Sequence, residues 1–267
     1  MAHHADGGQE WDRHLLLLYR DEDRRRDCVA SWVQRGLEQG EKVLYTQLPG
    51  DTSLLSALAR RGVDVTQAAA EGRFSILPVD EFYPEQGQAG LVDRALQEGY
   101  PGVRLSAEAN VALALVSEGA YQVFERRMDE LCRSRPVSAM CQYDGRRAPA
   151  DRLPGALETH PDAVRDENVR LYREGGRLHV DGEVDASSAA LVEAYVERVC
   201  RRERSDSLTV DLSQLTFLDV EGCRALVVGT GRLRDAGGTL FLERARPHVL
   251  RTMTLLGVER QNHVFLV

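Results

Sequence analysis

His14-Leu15-Leu16-Leu17-Leu18-Tyr19, followed by Arg20-Asp21-Glu22-Asp23, is the stretch on which the reading of this chain turns. An unbroken apolar run with no polar alternation describes a strand covered on both faces, as in a parallel sheet flanked by helices. In such sheets the loop after the first strand often cradles phosphate, using glycine backbone N–H groups at a helix N-terminus. Here that loop holds three carboxylates and no glycine, and these repel the oxygens a phosphate loop attracts. The Gly36-Leu37-Glu38-Gln39-Gly40-Glu41-Lys42 segment misses the required GxxxxGK[ST] spacing and lies between a helix and a strand, the reverse of the required order. The reading therefore argues against a working NTPase.

Outward from this strand the pattern alternates. Helical spacing covers 24–39 (Val29, Trp32, Val33, Leu37), 54–61, 88–98 and 121–134, and strand-like runs cover 42–48, 74–79, 103–107 and 137–143. Alternation of this kind predicts an α/β domain with a mainly parallel sheet. Between Gly145 and Pro161 stand three prolines (Pro149, Pro154, Pro161) and two glycines, a spacing that predicts a linker without regular elements. Beyond it the rhythm changes. Strands at 169–172 and 177–180 flank Glu174-Gly175-Gly176, a hairpin signal. Asp185 and Ser187 are candidate N-caps for a helix over 189–202. A strand at 208–212, a helix over 221–236, a strand at 239–243, a helix over 247–256 and an edge strand at 264–267 complete a smaller α/β domain.

At 267 residues the chain has room for these two domains. Its net charge of −8 disfavours nucleic acid or an anionic membrane as direct partners. Cys28, Cys132, Cys141, Cys200 and Cys223 form no CxxC pair, so free thiols of a reduced cytoplasmic protein are expected. No apolar run reaches the roughly 20 residues of a membrane helix, and Met1–Glu10 does not read as a signal peptide. Two terminal histidines, His3 and His4, make no metal site. His14, His160, His179, His248 and His263 show no ligand spacing, and structural roles are expected for them, with no metal and no cofactor. Asp80-Glu81 and Glu108 fall near the C-terminal ends of strands, where α/β sheets place their sites, but read first as helix-start and loop charges. Cys141 reads as a small buried hydrophobe, and Tyr143-Asp144 as a pocket wall or the close of a strand.

Two resemblances follow. His14–Tyr19, Gly36-Leu37, Gly40-Glu41, Val43-Leu44-Tyr45, Gly72-Arg73-Phe74 and Met140-Cys141-Gln142-Tyr143-Asp144 resemble the MEDS domain of methanogen and methylotroph sensory proteins over residues 10–146. The resemblance implies a three-layer RecA/KaiC-like domain without a phosphate loop, a sensory role and an unknown small-molecule ligand. Val180–Asp185, Leu208–Asp219, Gly222 and Gly238-Thr239-Leu240 look like the STAS domain of anti-sigma-factor antagonists over 167–267, leaving 147–166 as linker. The resemblance implies that the unphosphorylated domain binds an anti-sigma factor, usually a GHKL-type serine kinase, and releases the sigma factor, with phosphorylation of a serine at a helix start as the switch. In this chain Asp219-Val220-Glu221-Gly222 occupies that motif, with Glu221 at the acceptor position; Ala186 and Val220 stand where related proteins carry threonines. Glu221 is read either as a helix cap or as a permanent anion in place of phosphoserine, which carries about −1.5 to −2 charges.

The expectation is thus a non-enzymatic regulator with Asp185, Ser213, Asp219, Val220, Glu221 and Gly222 at its partner surface, able to form homo-oligomers. The alternative is a degenerate RecA-like nucleotide-binding protein with the STAS domain as scaffold.

Overall fold

The computed structural model describes residues 13–47, 50, 52–83, 87–113, 117–146, 152–202 and 205–267. They form two compact units, one of residues 13–15 and 20–143, the other of 16–19 and 144–267. The extreme N-terminus, with His3 and His4, and positions 147–151 of the expected linker lie outside the described residues.

The first stretch runs β1 (His14–Tyr19), α1 (Glu22–Glu38), β2 (Lys42–Tyr45), α2 (Ser53–Arg60), α3 (Val65–Ala70), β3 (Phe74–Ile76), α4 (Val79–Phe82), α5 (Ala89–Gln97), β4 (Val103–Glu108), α6 (Ala109–Leu113), α7 (Glu118–Ser134) and β5 (Val137–Asp144). Strands β5-β4-β2-β3 pair in that order, every pair parallel. At the β5 edge the Ala139 N–H donates to the Arg13 carbonyl. All six positions of β1 are buried, as an apolar run without alternation requires. Leu44, Val92, Leu105, Met128, Leu131 and Val137 share one core, strand faces packed on α5 and α7.

The second stretch runs α8 (Arg152–Thr159), β6 (Ala163–Arg165), β7 (Val169–Glu174), β8 (Arg177–Val184), α9 (Ala189–Arg202), β9 (Ser207–Asp211), β10 (Leu215–Leu218), α10 (Val220–Gly229), α11 (Gly231–Asp235), β11 (Thr239–Glu243), α12 (Pro247–Leu255) and β12 (Val264–Leu266). Its sheet order is β12-β11-β9-β8-β7-β6. The β6-β7-β8 end is antiparallel and the rest parallel, so the sheet is mixed. Strand β8 is shared along its length: Leu178 and His179 pair with β9, whereas Gly182–Val184 pair with β10. The α/β class, mainly parallel in the first unit and mixed in the second, is as expected.

Three local expectations are corrected. The stretch expected to lack regular structure carries α8 and β6. Pro154 is tolerated because it stands in the first turn of α8, where a missing N–H breaks no helical bond. The helix expected over 221–236 is two helices, α10 and α11. Thr230 sits buried between them, its hydroxyl donating to the carbonyls of Leu226 and Val227. The span 213–220, to which the sequence pattern assigns no element, carries strand β10, which pairs with the last three residues of β8.

Candidate functional site

The first place to look is the start of α1, where a phosphate loop would lie. Asp21 caps that helix, its carboxylate accepting the Arg24 N–H at 2.8 Å. The helix N-terminus thus has its own anion. Arg25, buried in the next turn, pairs with Glu22 at 2.8 Å and lies 3.5 Å from Glu108 at the end of β4. It also donates to Gln142 Oε1 at 2.8 Å, and Gln142 in turn donates to the Ser106 hydroxyl. Tyr45 joins the cluster, its phenol raised by burial and opposed by the Arg25 charge. Glu108 is therefore one partner of a closed network. Asp80 and Glu81 are exposed in the first turn of α4, in keeping with helix-start charges.

The same unit gathers three chemically active side chains that stand apart along the chain. His14 Nε2 lies 3.4 Å from Cys141 Sγ and 3.2 Å from Glu125 Oε2. Glu125 projects from α7, and burial together with its charge pushes the Cys141 thiol well above its ordinary value. Tyr143 packs edge-on against Tyr121, closing this region.

In the second unit the structure brings Asp185 close to the Asp219–Gly222 segment. Asp219, just before α10, accepts the Gly222 N–H at 2.8 Å through one oxygen and the Ala186 N–H at 3.1 Å through the other. One carboxylate therefore caps α10 and ties it to the loop preceding α9. In that loop Asp185 accepts from the Ser187 N–H at 2.8 Å, the Ser187 hydroxyl at 2.6 Å and the Ser188 N–H at 3.3 Å. These bonds, the Ser187 hydroxyl first, hold its carboxyl below the ordinary carboxylate value. Gly222 is required by closeness: a Cβ there would stand 2.6 Å from Leu218 Cδ1 and 2.9 Å from the Val184 carbonyl oxygen.

Glu221 is not the cap. It stands in the first turn of α10 with its carboxylate toward solvent, 3.3 Å from the Arg224 guanidinium. Beside it Val220 is 56% exposed and Phe217 is 47% exposed. Ser213 lies apart from this face in its bonding. Its N–H donates to Asp211, and its carbonyl accepts from Arg246. Asp211 is buried, its carboxylate paired with Arg244 and 3.4 Å from His179 Nδ1. Sequence reasoning missed both Phe217 and the double role of Asp219. An aromatic two residues before a helix cap, on a strand too short to bury both faces, was the available signal. Among the described residues no helix is long and apolar enough to cross a membrane.

Comparison with known proteins gives two family matches. Residues 13–161 match the methanogen/methylotroph, DcmR sensory (MEDS) domain. Residues 167–267 match the family described as Mlab, STAS domain. No curated protein matches the chain. Among solved structures, the anti-sigma factor antagonist SpoIIAA in its unphosphorylated form is 18% identical, with a TM-score of 0.30, covering 37% of this chain and 87% of its own. A KaiC-like protein of the hyperthermophilic archaeon Pyrococcus horikoshii is 17% identical, with a TM-score of 0.43, covering 65% and 78%. An uncharacterized Pyrococcus horikoshii protein in complex with an unknown peptide is 14% identical, with a TM-score of 0.42, covering 64% and 82%. Over more than half its length the chain matches one model, and it belongs to the MEDS family of sensory-domain proteins, with a STAS domain following.

Proposed function

We propose that the protein is a cytoplasmic regulator of the anti-sigma-factor-antagonist type, which acts by binding an anti-sigma factor and carries out no turnover. The N-terminal unit is its sensory input and takes a small-molecule ligand. The partner surface is the face built by Asp185, Asp219, Val220, Glu221 and Gly222, with Phe217 beside it. One observation carries this reading: the two oxygens of Asp219 hold the start of α10 and the loop before α9 together, with exposed Phe217 two residues before Asp219 and exposed Val220 adjoining Glu221 in sequence. An apolar pair beside a fixed charge supplies both a contact surface and a means of discrimination. Because Glu221 has no hydroxyl to accept phosphate, the anion that the resembled family adds by a kinase is permanent here. Switching must then come from an effector that binds two states of the protein with different affinity. The closed Arg25–Glu108–Gln142 network weighs against the nucleotide-hydrolase alternative.

Co-purification from the native host, with partners identified by mass spectrometry, tests the reading. The full-length protein is expected to retain an anti-sigma factor, and Glu221→Ala to change its affinity about two- to fivefold, the range of one charge in the first turn of a helix. Asp219→Ala, which frees both backbone N–H groups, should weaken it more. Nucleotide turnover abolished by Glu108→Gln, with no protein partner retained, would establish the alternative.

A further inference from the structure

We propose that His14, Glu125 and Cys141 form a binding site for a divalent, borderline-soft metal ion of the Zn2+ class in the N-terminal unit. This site lies in a different unit from the partner surface and does not depend on the partner reading.

The three side chains come from three elements: the first residue of β1, the middle of α7 and the fifth residue of β5. Their donor atoms all lie within 4.8 Å of one another. The closest approaches are 3.2 Å from His14 Nε2 to Glu125 Oε2 and 3.4 Å to Cys141 Sγ. Zinc binds N and O at about 2.0–2.2 Å and S at about 2.3 Å, so donors around one tetrahedral ion stand roughly 3.3–3.6 Å apart. The observed spacings are within a few tenths of an ångström of that geometry. One nitrogen, one oxygen and one sulfur donor suit zinc better than a hard cation such as magnesium.

Charge points the same way. A carboxylate, Glu125, shares a buried corner with the Cys141 thiol, and a buried carboxylate is costly without a cation. A divalent ion would neutralise carboxylate plus thiolate, with the imidazole neutral. Behind the imidazole, Asp129 Oδ1 lies 3.9 Å from His14 Nδ1, in the place of the carboxylate that commonly orients a metal-bound histidine. Glu125 and Cys141 also line a cavity of about 20 Å³ together with Phe82, Tyr83, Phe124 and Met128. That is room for one water.

The competing arrangement is a protonated His14 paired with Glu125 and Asp129 without metal. Full-length protein, stripped by chelator under reducing conditions and titrated with Co2+ alone, separates the two. The site predicts about one Co2+ per chain with a thiolate-to-cobalt charge-transfer band, which binding by His3 and His4 cannot produce. Cys141→Ser should abolish the band and weaken binding by at least about tenfold. Glu125→Gln should weaken binding and keep the band, and Cys28→Ser should change neither. A wild type that shows no thiolate band overturns the proposal, whether or not the Cys141 variant folds. So does a band that survives Cys141→Ser, or Co2+ affinity unchanged by Glu125→Gln.

Discussion

Gly182→Ala should cost the C-terminal unit about 2–6 kcal/mol, the sum of backbone strain and overpacking. Gly182 has φ +98, a conformation that L side chains rarely adopt, and an added Cβ would stand 2.2 Å from the Asn168 carbonyl oxygen. That oxygen is backbone and cannot rotate away. The residue also sits where β8 exchanges one neighbour for another: it pairs with Val169 of β7 and Leu215 of β10, and its N–H donates to the Gln214 carbonyl. Thr216 Oγ1 adds a hydrogen bond to its carbonyl. Displacing this residue disturbs the β10 pairing that carries Phe217 and leads into Asp219. Gly175, with φ +56 and open space around its Cβ position, is the control; alanine there should cost only about 1–2 kcal/mol. Hydrogen exchange of the β8 and β9 amides measures both. Equal protection in the two variants would show that the close approach at Gly182 is relieved without consequence.

Glu41→Leu should destabilise the N-terminal unit by about 3–5 kcal/mol, the range for stripping one partner from a buried ion pair. Glu41 and Arg104 are ion-paired with no solvent exposure at all. The guanidinium also donates to Gln39 Oε1 at 3.1 Å and lies 4.8 Å from the centre of the Trp32 ring. Removing the carboxylate leaves that cation buried. Glu41→Leu combined with Arg104→Leu should recover a large part of the loss, since the buried charge disappears with its partner. Denaturant unfolding followed by tryptophan fluorescence reads the wild type, the two single variants Glu41→Leu and Arg104→Leu, and the double variant. A double variant as unstable as the sum of its singles would mean that packing, not charge, dominates the site.

This pair also explains a sequence feature that resembled a phosphate motif. A Cβ at Gly36 would stand 2.4 Å from Arg104 Cδ, so the glycine makes room for the arginine. Gly40 takes φ +75 to end the helix and deliver Glu41 to the core. Such a role depends on Arg104, more than sixty positions away, and no local pattern reveals it. The buried strand at 14–19 was legible because its apolar run has no competing reading, and Asp21 because a carboxylate before a helix is a local cap. Asp219 was legible as part of a motif, but its second hydrogen bond reaches Ala186 across 33 positions. The break at Thr230 was hidden because Gly229 is there for contact: its Cβ would lie 2.8 Å from the Glu193 carbonyl of α9. His14 and Cys141 are 127 positions apart, and only the pairing of β5 beside the start of β1 brings them together.

The central claim is that the partner face carries its anion permanently at Glu221. The most direct measurement maps phosphate by mass spectrometry on the full-length protein recovered from its native host, and again after incubation with a GHKL-type serine kinase and ATP. The account predicts no phosphate between residues 211 and 224 in the wild type, and phosphate at position 221 once Glu221→Ser supplies a hydroxyl. Stoichiometric phosphate on Ser213 or Thr216 of the wild type would contradict it.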